Sequence, residues 1–180
     1  MYGMVNKAVQ DMVIRNHGEG VWNQIRAKAG VDLEVFMTNE GYPDKITYDL
    51  VAASSEVLGL SSDDVLHAFG EHWILHTAQE GYGSLMRAAG NTLPEFFSYL
   101  PLFHDRVGMI FPHLQPPRFE ITDLSDRSLQ LHYFSHRPGL APFVVGLMSG
   151  LGKMFNTPVT VTTINSKQDG ADHDVFLMTW

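Results

Sequence analysis

The sequence predicts an α+β fold in which a helical N-terminal half, about residues 1–115, packs on a C-terminal antiparallel sheet with an inserted helix, about residues 116–180. Three observations predict it. Through the first half, apolar side chains recur at the 3.6-residue spacing of a helix. Past Pro116-Pro117, residues 118–122 and 128–135 alternate in polarity and carry β-formers. Residues 139–155 then return to helix, with the small Ala141, Gly146 and Gly150 on one side, before two more β-rich runs. The chain has no repeat and no low-complexity linker, and 180 residues suit a single domain with a substantial core.

In chain order, Met4, Val5, Ala8, Val9, Met12 and Val13 make one apolar helical stripe, which Gly18 and Gly20 terminate. A second helix over 21–29 stops at Gly30, and Gly41-Tyr42-Pro43-Asp44 is a turn cluster. A third helix over 47–58 ends at Gly59. The next follows Ser61 and Ser62, with Asp63 and Asp64 at its positive end. Its apolar face runs Leu66, Phe69, Trp73, and it is expected to fade near Glu80-Gly81. Thr92-Leu93-Pro94-Glu95 reads as a capping box with proline in the first turn. Pro101 is expected to break that helix and restart a second at Leu102, and Pro112 with Pro116-Pro117 closes the helical half. Residues 123–127 turn between the first two strands. A strand over 158–164, a turn over 167–172 and a strand over 174–180 complete the sheet.

Composition removes several classes of function. Cysteine is absent, which excludes disulfides, thiolate catalysis, iron–sulfur clusters and thiolate-ligated metals. Lys+Arg number 12 against 20 Asp+Glu, a formal net charge of −8 that argues against a nucleic-acid partner. Residues 1–11 lack the apolar centre of a signal peptide, and the most apolar stretch, 140–152, falls well short of the about 20 residues that span a bilayer. A cytoplasmic location away from membranes is expected.

Familiar catalytic and nucleotide motifs fail. Gly81-Tyr82-Gly83 and Gly150-Leu151-Gly152 lack the third glycine of a dinucleotide fingerprint. Gly146 to Gly152-Lys153 has five intervening residues instead of four, and Met154 stands where a phosphate loop needs a hydroxyl. No Gly-x-Ser-x-Gly elbow occurs. His72 and His76 have the i, i+4 spacing of a metal-binding pair, but no third ligand is evident, so a solvated face is expected. His132 and His136 share a strand face with nothing evident to recruit them.

One constellation survives. Phe97, Leu100, Phe103, Val107 and Ile110 repeat at helical spacing around His104, which turns its imidazole inward. On the strand after it, Leu129, Leu131, Tyr133, Ser135 and Arg137 share one face that runs from apolar to three hydrogen-bond donors. Such donors on a buried face require an acceptor, and a guanidinium with two hydroxyls suits a carboxylate. Two readings stand side by side: incidental residues at a strand end, or a clamp for the carboxylates of a large apolar ligand whose metal His104 binds.

At these residues the chain resembles bacterial H-NOX (haem–nitric oxide/oxygen binding) domains, related to the haem domain of soluble guanylate cyclase. The resemblance spans nearly the whole chain: Met1-Tyr2-Gly3, Ala68-Phe69-Gly70-Glu71-His72-Trp73, Glu80-Gly81-Tyr82-Gly83, Leu93-Pro94-Glu95-Phe96, Phe103-His104-Asp105-Arg106-Val107, Pro116-Pro117, Tyr133-x-Ser135-x-Arg137 and Gly170-Ala171-Asp172-His173. It implies a haem b (iron protoporphyrin IX) cofactor between the two halves, with His104 as iron ligand and Tyr133, Ser135 and Arg137 on the propionates. It implies that Pro117 presses on the porphyrin. By the same resemblance, nitric oxide or CO binds ferrous haem, the iron–His104 bond weakens, and the haem relaxes. A separate signalling protein, such as a histidine kinase or a cyclic-di-GMP enzyme, reads the change. The chain is then a sensor and not an enzyme.

On the distal side, oxygen-binding relatives carry a tyrosine where this chain has Pro142. Trp73 is then the polar group left there, with Val5 and Phe143 as apolar walls, and weak or absent O₂ binding is expected. Without cysteine, the zinc cluster and thiol chemistry of some relatives are excluded. The alternative is a haem-free sensor that holds an apolar carboxylate with the Tyr133, Ser135 and Arg137 clamp.

Overall fold

The computed structural model describes residues 1–110 and 116–180, except for the side chains at positions 105, 107, 108 and 110. Helix α1 (Gly3–His17) and helix α2 (Glu19–Lys28) meet at Gly18, whose φ of 86° turns the chain between them. Helix α3 (Asp44–Leu58) ends on Gly59 in the left-handed conformation. Ala8, Val9, Val13, Trp22, Ile25 and Leu50 from these three helices pack with Phe69 in one apolar cluster. Helix α4 (Ser62–His72) starts at Ser61, whose hydroxyl accepts from the Asp64 amide at 3.1 Å.

Beyond His72 the expected fade near Glu80-Gly81 does not occur. The chain makes one π-helical turn, Trp73–Thr77, and continues as α5 (Ala78–Ala88), with Tyr82 alone outside helical geometry. Burial of Ile74, Ala78 and Met86 holds the helix through its glycines, which cost only about 1 kcal/mol each. Pro101 does not split the next helix either. α6 runs unbroken from Leu93 to Ile110. Leu93, Phe96, Phe97 and Leu100 are all buried on one face, and at about 1.5–3 kcal/mol each they outweigh the about 3 kcal/mol that proline costs inside a helix. The start is a capping box: Thr92 Oγ1 accepts from the Glu95 amide at 3.4 Å, and Glu95 returns to the Asn91 amide at 2.8 Å. The expected stop at Pro112 lies outside the described residues.

The sheet is antiparallel with strand order β1-β2-β4-β3, from β1 (Arg118–Thr122), β2 (Ser128–Phe134), β3 (Thr160–Asn165) and β4 (Asp174–Thr179). Its inner face carries Leu129, Leu131 and Tyr133, with Leu131 opposite Phe176 and Tyr133 opposite Phe119. Helix α7 (Ala141–Met154) is the inserted helix, and it sits against both the sheet and α4. The small-residue side explains how closely α4 and α7 approach. A methyl group on Gly70 would meet the Phe143 carbonyl and the Leu147 amide, and one on Gly146 would meet the His67 carbonyl. No helix among the described residues is long and apolar enough to cross a membrane.

Candidate functional site

A cavity of about 260 Å³ lies where the helices meet the inner face of the sheet. That is roughly twenty times what one water needs on the same measure, so it suits a large guest. α6 supplies Phe97, Leu100, Phe103 and His104, β1 and β2 supply Phe119, Leu131 and Tyr133, and Ser135 and Arg137 follow on the same side. Pro117 lines it just before β1. Val5, Trp73 and Phe143 line it from α1, the π-helical turn and α7.

His104 is held by its own helix. Its Nδ1 lies 3.2 Å from the Leu100 carbonyl oxygen. A carbonyl only accepts, so Nδ1 carries the proton and Nε2 keeps the lone pair that a metal requires. Phe119 and Phe103 flank the ring, with centroids 4.9 Å and 5.7 Å away. No three His, Cys, Asp or Glu side chains gather as a metal site among the described residues.

The clamp residues do come together. Burial pushes the Tyr133 phenol above its ordinary value, which keeps it a neutral donor, and it is hydrogen-bonded to Ser135. The Ser135 hydroxyl accepts from the Arg137 amide at 3.1 Å. Arg137 Nε donates to Asp44 Oδ2 at 2.7 Å, and the amino group of Met1 donates to the other oxygen of Asp44 and to the Tyr42 carbonyl. Burial alone would raise the Asp44 carboxyl. Hydrogen bonds from the Met1 amino group and Arg137, with their charges, hold it below the usual carboxylate value instead. The guanidinium is thus already oriented by one carboxylate at the polar end of an apolar cavity. These residues fit a haem: one imidazole lone pair, apolar walls, and hydroxyls with a guanidinium at one end.

Asp44 escaped the sequence reading because it falls in the Gly41-Tyr42-Pro43-Asp44 turn cluster, and Arg137 is 93 positions away. Four further corrections arise. Pro142 is not among the cavity-lining residues; Leu140, the N-cap of α7, and Phe143, in its first turn, are. Trp73 is not the sole polar group either, because Tyr2, Thr47, Tyr48 and Tyr82 also line the cavity. His72 is 6% exposed rather than solvated, and burial lowers its pKa to about 4. His132 is recruited: its Nε2 accepts from Thr122 Oγ1 at 2.9 Å, its Nδ1 meets His173 Nε2 at 2.9 Å, and His173 Nδ1 meets Asp172 Oδ1 at 2.6 Å. His136 lies past the end of β2 and is exposed.

Comparison with known proteins agrees with this geometry. Residues 2–163 match the model of the haem-NO-binding family. The chain is 29% identical over 191 residues to soluble guanylate cyclase gcy-32 of Caenorhabditis elegans, covering 99% of this chain and 28% of that one. It spans about a quarter of the length of the curated relatives it matches. Among solved structures, the crystal structure of an S. oneidensis H-NOX protein in the Fe(II)NO ligation state superposes with a TM-score of 0.88, at 21% identity over 99% of this chain and 98% of that one. The NMR structure of a mutant Shewanella oneidensis H-NOX domain in the Fe(II)CO ligation state gives 0.86 at 20% identity, over 99% and 98%. The fold is that of H-NOX proteins. The chain belongs to the haem-NO-binding, or H-NOX, family.

Proposed function

We propose that residues 1–180 act as one haem-based gas sensor that binds nitric oxide and CO at ferrous haem b and signals to a separate protein. The observation that carries this is His104: its Nδ1 proton is committed to Leu100, so Nε2 is the ligating atom, in a cavity whose far end is polar. Haem b, when bound, supplies a ferrous iron with a coordination position open to diatomic gases. Tyr133, Ser135 and Arg137 hold the propionates, with Asp44 orienting the guanidinium. Pro117, which lines the same cavity, would press on the porphyrin. Bound O₂ would gain little stabilisation on the wall formed by Val5, Phe69, Trp73 and Phe143, because those four side chains carry no hydroxyl.

Signal output follows from how His104 is mounted. α6 carries it and packs on β1, so a His104 ring held less tightly by a bound group would leave α6 able to move against the sheet. The partner that reads this movement is a signalling enzyme such as a histidine kinase or a cyclic-di-GMP enzyme, and co-purification with and without nitric oxide tests the pairing. The central experiment is an absorption spectrum. A Soret band should be present, vanish in His104→Gly and return with added imidazole. A colourless protein that takes up no haem would overturn the proposal, as would an oxygen complex stable in air for its gas selectivity.

A further inference from the structure

A second cleft lies behind the distal wall, between α1, the π-helical turn and α5, lined by Asp11, Arg15, His72, His76, Thr77 and Glu80. We propose that it binds one divalent transition-metal ion through the imidazoles of His72 and His76, with Asp11 or Glu80 as a carboxylate ligand. Three observations carry this, and none depends on haem.

His72 is 94% removed from solvent yet makes no hydrogen bond among the described residues, and it borders this cleft. Asn6 Nδ2 is the buried side-chain nitrogen without a partner among the described residues, so the His72 ring nitrogens are not sealed away, and they are open to a ligand at the cleft the residue lines. His76 stands beside it, with ring centroids 4.8 Å apart. Two imidazoles sharing a tetrahedral zinc at about 2.0–2.1 Å per nitrogen have ring centres about 5 Å apart, so this pair is already spaced for one ion.

The carboxylates are at hand but held back. Asp11 is bonded to Lys7 at 2.6 Å, and Glu80 lies 4.0 Å from Arg15 with most of its side chain exposed. Two ligands are therefore positioned, and the third arrives by rotation of one surface side chain. Imidazole donors select zinc, nickel or copper over magnesium. The turn that holds the pair also carries Trp73 and Ile74 into the gas-binding cavity, so a bound ion would stiffen that wall.

The test is calorimetric titration of the haem-loaded protein with Zn²⁺, with Mg²⁺ as the hard-cation comparison. One Zn²⁺ per chain is expected, with no Mg²⁺ heat. His76→Gln, at a half-buried position, should weaken zinc at least about tenfold, as should His72→Gln. Arg15→Gln should tighten it by freeing Glu80 and removing a nearby cation. His173→Gln, which alters the other histidine pair, should leave it unchanged. No saturable zinc binding, or binding untouched by His76→Gln, overturns the site; equal loss in His173→Gln places the ion on the sheet face and overturns it too.

Discussion

Gly146→Ala tests whether the close approach of α7 to α4 shapes the gas-binding cavity. A Cβ at this position meets the carbonyl oxygen and carbon of His67 and the Cα of Gly70, all backbone atoms of α4 that no rotamer change can move. Normal carbon contacts are about 3.5–4.0 Å, so the two helices must separate by about 1 Å. Overpacking of this kind costs about 1–3 kcal/mol, and a backbone-to-backbone clash belongs at the upper end. Alanine returns about 0.5–1 kcal/mol by restricting the unfolded chain, leaving a net loss of about 2 kcal/mol. At about 2–4 °C per kcal/mol for a chain of this size, the unfolding midpoint of the haem-loaded protein should fall by about 4–8 °C. Gly20→Ala is the matched comparison: it is helical, has nothing within 4 Å of the added methyl, and should be neutral or slightly stabilising. Because Trp73, on the turn directly after α4, and Phe143, on α7, line the cavity, Gly146→Ala should also shift the haem absorption. Equal midpoints for the two variants in scanning calorimetry would refute the close-packing argument.

Three more outcomes are expected. His72 has its folded pKa lowered to about 4 against 6.5 for the free side chain. The unfolded chain therefore binds the extra proton first, and stability that is complete above pH 6.5 is lost as pH falls toward 4. About 1–2 kcal/mol should disappear by pH 5, and urea midpoints of His72→Gln should lose that slope. The depressed pKa of Asp44 acts the same way lower down: its contribution is present above about pH 4 and fades below it. Asp44→Asn should remove that acid dependence, by under about 1 kcal/mol because the pair is partly exposed, and chemical denaturation across pH 3–5 measures it. If Tyr133 donates to a haem propionate as proposed, Tyr133→Phe should raise the rate of haem transfer to an acceptor protein about tenfold or more, as expected for a hydrogen bond to a charged group.

The strands, most helices and the His104, Tyr133, Ser135 and Arg137 group were legible because each rests on local periodicity. Alternation on β2 put Tyr133 on the buried face whatever lay opposite, and the structure brings it against Phe119. Local rules misled at Pro101 and Gly81, where burial of Phe96, Phe97, Ile74 and Met86 outweighs the propensity of one proline or glycine. The histidines misled for a related reason. A sequence shows His132 without showing that β4 brings His173 to within 2.9 Å of it, or that α1 covers His72.

By itself, the sequence determined the α+β order of elements, the absence of thiol chemistry and the residue types that meet at the cavity. Those follow from side-chain period and composition, which are properties of neighbours in the chain. Only the tertiary structure decided that Asp44 orients Arg137 across 93 positions, that Leu140 and Phe143 rather than Pro142 face the cavity, and that His72 is buried beside His76. Such pairings depend on how helices and sheet pack against one another, and packing energy is shared among residues that no local pattern connects.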